Sequence, residues 1–163
     1  MEIAGLPLHP LVVHAAVVLG PLASLVGLAY AARPSWRWAL RWPLVVLAVA
    51  AFAGVVLAWF SGRAYLDELA VPPEAVPLYD RLQAHQDRAG VLLGLSASFV
   101  VDAALAAWAL RGPSALASGR GGGEDRRPWS WVALVLLVAG SVAVVAVTVW
   151  TGHVGAQAVH GGV

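Results

Sequence analysis

Four stretches of the chain run almost without a polar residue: Leu11–Ala31, Pro43–Phe60, Ala89–Leu110 and Trp131–Trp150. Between them the character reverses, with Arg, Asp, Glu, Gly and Pro crowding together. An apolar run of roughly 20 residues is long enough to cross a bilayer as a helix. Inside lipid the backbone must satisfy its own hydrogen bonds, so each run is expected to be helical. The pattern predicts an all-α fold: one integral membrane domain over residues 1–163, built as a four-helix up-down bundle. Its parts are inner linkers at 32–42 and 111–130, an outer loop at 61–84 and an outer tail at 151–163.

Composition supports the membrane reading. Hydrophobic residues make up 60% of the chain and charged residues 12%, against about 25% charged in a soluble domain. The net charge of +1 gives no reason to expect nucleic acid as a partner. With no Cys the chain has no disulfide, thiolate metal site, iron–sulfur cluster or covalent haem attachment. All ten basic residues are Arg, a bias that suggests a GC-rich bacterial genome. The opening, MEIAGLPLHP, lacks the basic region of a cleaved leader, so the first apolar run is read as a retained helix.

Charge sets the expected orientation. Arg33, Arg37, Arg41, Arg111, Arg120, Arg126 and Arg127 fall in the two linkers on one side. Arg63, Arg81 and Arg88 fall on the other, offset by Glu2, Asp67, Glu68, Glu74, Asp80 and Asp87. Arginine-rich loops stay in the cytoplasm, so both termini are expected outside the bacterial cytoplasmic membrane. The eight Trp all fall at span ends, as an interfacial belt requires. The glycine-rich GRGGGED, residues 119–125, follows no strand; it is a linker rather than a nucleotide fingerprint.

This threading brings all five histidines to the outer face: His9 and His14 at the start of helix one, His85 at the start of helix three, His153 and His160 in the tail. Imidazole is the commonest metal ligand, and a short bundle brings its outer ends within side-chain reach. His14 follows Pro10 by about a helical turn and stands among apolar neighbours, where a polar ring needs a partner or a function. His9 lies near the cap. The tail, with Gly152, Gly155, Gly161 and Gly162, is expected to be a loosely helical cap over the bundle mouth.

The two halves look alike. Val17–Val26 aligns with Val91–Val100, and Trp59–Ala64 with Val149–Val154, so that Gly62 falls on Gly152. Two repeated hairpins would be related by an axis along the membrane normal. Helices one and three would then be diagonal, with His14 opposite His85. Two such imidazoles suit a bis-histidine b-type haem; zinc or copper would draw three or four ligands from His9, His14, His85, His153 and His160. Asp102, the one acid within a span, lies about 25 Å inward of His85 along the helix and is assigned to the cytoplasmic interface beside Trp108 and Arg111.

The entry LPLHPLVVH, the histidine of helix three and the exit TGHVGAQAVHGGV resemble the bacterial membrane family known as domain of unknown function 2231. The resemblance covers nearly the whole chain and places the family's histidines on His9, His14, His85 and His160; His153 departs from the pattern. It implies a membrane redox component, with haem binding as a consequence. The expected function is therefore a haem b electron carrier, with His14 and His85 as axial ligands and His9 and His160 as a second pair or supporting shell. A copper or zinc site is the first alternative. The second is a non-catalytic subunit of a larger membrane redox or transport complex, or a homo-oligomer. An electron carrier or subunit is expected ahead of a stand-alone enzyme.

Overall fold

A computed structural model of the chain describes residues 2–3, 6–68, 76–110 and 128–160. Two short strands, β1 (Glu2–Ile3) and β2 (Leu6–Pro7), pair antiparallel and lead into the bundle. Four helices follow: α1 Leu8–Ala32, α2 Arg37–Glu68, α3 Val76–Ala109 and α4 Ser130–His160. A single 3-10 turn at Pro34–Trp36 joins the first two. Each helix is long and apolar enough to cross a membrane. Helix α1 packs on α2 and α4, and α3 packs on the same two. The expected up-down bundle is therefore present, with α1 and α3 on one diagonal.

The helices outrun the apolar stretches. Helix α3 starts at Val76, so His85 lies well inside it rather than at its start. Helix α4 runs on to His160, through Gly152 and Gly155. The expected loose cap is thus a continuous helix up to that residue. Glycine costs a helix only about 1 kcal/mol relative to alanine, and packing on the neighbouring helix outweighs that. Most of the second inner linker, part of the outer loop and the last three residues of the tail lie outside the described residues, as does the side chain of His160.

The core is made of small residues and a few large ones. Tyr30, Phe99, Leu44 and Leu137 are fully buried, among Ala23, Ala103, Ala106, Ala133, Ser24 and Ser141. Lipid offers helices no hydrophobic drive to associate, so close packing through small side chains holds them together. Ser24 and Ser141 donate to the carbonyls of Gly20 and Leu137, one turn back. Gly27 lies so near α4 that a methyl group there would be 2.7 Å from Ser141 Oγ. At the end opposite the histidines, Tyr30 OH donates to the Leu110 carbonyl at 2.7 Å, tying α1 to the last turn of α3. Seven of the eight Trp are exposed on the outer surface of the bundle. Trp59 is the exception, half-buried against α3.

Candidate functional site

The site is built where the first turns of α1 meet α2 around Ala58, α3 around His85 and α4 around Thr151. One cavity of about 60 Å³ lies there, and all four helices line it: His9, Val13, Ala16 and Val17 from α1, Val55, Ala58 and Trp59 from α2, His85, Ala89 and Leu92 from α3, Thr148, Thr151 and Gly152 from α4. Its walls are apolar apart from the two imidazoles, the threonines and the indole.

His9 and His85 come from diagonal helices and line the same cavity. Each is held by the next helix in the same way. His9 Nδ1 lies 3.1 Å from the carbonyl of Ala58 and 3.1 Å from Ser61 Oγ, which itself donates to that carbonyl. His85 Nδ1 lies 3.1 Å from the carbonyl of Thr151. A carbonyl can only accept, so Nδ1 carries the proton in both rings. This backbone-fixed tautomer is the common support of a metal-binding histidine.

A glycine one turn beyond each carbonyl makes room for the ring. A methyl group on Gly62 would fall 2.9 Å from His9 Cε1, and one on Gly155 would fall 2.9 Å from His85 Cε1. Carbonyl and glycine are four residues apart in both cases, Ala58 with Gly62 and Thr151 with Gly155. The two hairpins therefore repeat each other at the site. The repeat pairs Gly62 with Gly155, not with Gly152 as the sequence alignment had it; a side chain at Gly152 would meet nothing within 4 Å. The reason is that this equivalence depends on which glycine faces the ring, and short apolar matches do not report facing.

The structure sorts the remaining histidines. His14 is exposed on the outside of the bundle, and its Nδ1 donates to the Pro10 carbonyl of its own helix. It is His9, not His14, that stands opposite His85. The five-residue step between them turns the helix by about 140°, so only one can face inward. His153 is exposed on α4. Among the described residues no group of three or more His, Cys, Asp or Glu is placed to hold a metal ion.

Two features were not legible in the pattern. Thr151 is 7% exposed and its hydroxyl, in the cavity wall, has no hydrogen-bond partner among the described residues. Trp59 belongs to the cavity rather than to the interfacial belt. Asp102 is away from the site, its Oδ2 packed where a side chain on Gly140 would clash at 2.7 Å.

The fold and this cavity define a class: a four-helix membrane bundle with, among the described residues, one cavity-lining histidine on each hairpin. The chain belongs to the family described as Predicted membrane protein (DUF2231), whose model matches residues 5–162. No curated protein and no solved structure matches it.

Proposed function

We propose that the protein is an electron carrier of a bacterial cytoplasmic membrane, with His9 and His85 as the residues that would hold a b-type haem. One observation carries this reading: two histidines on diagonal helices line a single apolar cavity, each with Nδ1 tied to a carbonyl of the adjoining helix. Such a group supplies a one-electron couple whose potential is set by its ligands, by burial and by nearby hydrogen bonds. The donor set fits it, since two imidazoles suffice. The glycines give the rings room, and the Thr151 hydroxyl is a buried donor still lacking an acceptor among the described residues. The space is tighter than such a group needs: ligand cavities usually span roughly 300–1,000 Å³, against about 60 Å³ here. The excess of Arg in the linkers supports a site near the outer face, with both termini outside.

The cavity volume favours a second reading, a copper or zinc ion held by the same pair. Against it, zinc seeks three or four protein ligands, and the described residues bring only two to the cavity. A third reading, a non-catalytic subunit or homo-oligomer, needs neither ligand.

An absorption spectrum of protein purified in mild detergent, oxidised and then reduced with dithionite, tests the proposal. A Soret and α-band change lost in His9→Ala and His85→Ala supports it. A flat visible spectrum from cells well supplied with haem sinks it. Elemental analysis of the same sample then separates an ion site from a structural subunit.

A further inference from the structure

Trp59 lines two spaces, the histidine cavity and a groove of about 500 Å³ between α2 and α3. Gly90, whose added side chain would begin 3.9 Å from Trp59 Nε1, keeps the α3 wall open beside it.

The groove has aromatic surface, donors on both walls and no net charge. Trp59 and Tyr79 supply the rings. On the α2 wall the Arg63 guanidinium stacks over Trp59, 4.9 Å from the ring centroid. On the α3 wall Gln83 donates to Asp87 at 3.3 Å, which leaves its second amide hydrogen and the Gln86 NH2 group as donors. Arg63 and Asp87 cancel in charge, which disfavours a charged ligand. Donors on facing walls match a flat molecule with an acceptor at each end, and aromatic surface matches its ring. The volume lies within the small-ligand range, and the position, at the end of the spans, is where a lipid-soluble head-group meets water.

We infer that the groove between α2 and α3 binds a quinone head-group, with one carbonyl toward Arg63 and the other toward Gln83 and Gln86, and its ring beside the aromatic lining of Tyr79 and Trp59. The inference rests on the redox reading for its use, since Trp59 lines both the groove and the histidine cavity. Binding itself does not depend on that reading.

The test is calorimetric titration of the full-length protein in detergent with 2,3-dimethoxy-5-methyl-1,4-benzoquinone, a tailless head-group that does not bury itself in micelles. The chain contains neither Cys nor Lys, so thiol and side-chain amine addition do not confuse the signal. Saturable one-site binding is expected. Gln86→Leu, Arg63→Gln and Gly90→Leu should each weaken it by about tenfold, the worth of one or two hydrogen bonds or of a filled groove. Trp129→Phe, at the other end of the bundle, should not. Gln86 and Arg63 are not core positions, so their variants carry the test if Gly90→Leu fails to assemble. Non-saturable uptake, or equal affinity in all variants, overturns the proposal. Failure of the absorption experiment with successful titration removes the haem and keeps the groove; the reverse removes only the groove.

Discussion

Gly155 packs on His85 so closely that a single methyl group on the glycine would lie 2.9 Å from the ring carbon Cε1. His9 and Gly62 repeat the contact in the other hairpin. Gly155→Ala or Gly62→Ala must push the ring off its carbonyl. Overpacking of this kind costs about 1–3 kcal/mol. Each variant should unfold at lower temperature in detergent and lose whatever the histidines hold. Wild-type stability with an intact spectrum would show that the ring has another place to go.

The two N-terminal histidines should behave differently. His9→Ala removes a cavity-lining ring that bonds to α2. His14→Ala removes a ring on the outer surface. Reduced-minus-oxidised spectra should lose the α-band in the first and keep it in the second. The opposite pattern would return the axial role to His14.

Thr151 offers a separate handle. Thr151→Val keeps the side-chain shape and the carbonyl that accepts from His85, but deletes a buried hydroxyl that has no partner among the described residues. An unsatisfied buried polar group costs about 1–3 kcal/mol. Protein stripped of any bound group should therefore be stabilised by Thr151→Val, whereas loaded protein should gain less or lose. Equal thermal shifts in both forms would mean that the hydroxyl takes no part in binding.

Tyr30 holds the far end. Its hydroxyl bonds to the Leu110 carbonyl, and Tyr30→Phe should cost about 0.5–1.5 kcal/mol. The spectrum and the quinone titration should be unchanged, because neither site includes α1 at that depth. A spectral change would reveal coupling along the bundle.

Orientation is tested by fusing alkaline phosphatase or green fluorescent protein to the C-terminus in bacterial cells. An active phosphatase and a dark fluorescent fusion are expected, because the first folds only outside and the second only within. A bright fluorescent fusion would reverse the bundle and place the histidines at the cytoplasmic face.

The sequence by itself determined the architecture. Four apolar runs of spanning length have one solution in lipid, because an unpaired backbone amide there costs too much. Short connections then make neighbours antiparallel. The gathering of histidines at one end followed from the same threading, since depth in a membrane is nearly a function of position along the chain. Rotation about each helix axis is not. Leu11–Ala31 is apolar all round, so the pattern gave no reason to turn His9 rather than His14 inward. Tertiary packing decided it, through Gly62 and the Ala58 carbonyl on a helix far away in sequence. The same holds for Gly155 over Gly152, and for Trp59, which composition alone would leave in the belt with the other seven. In an apolar helix the facing of a polar residue is set by which neighbour leaves room for it, and that is known only when the neighbours are in place.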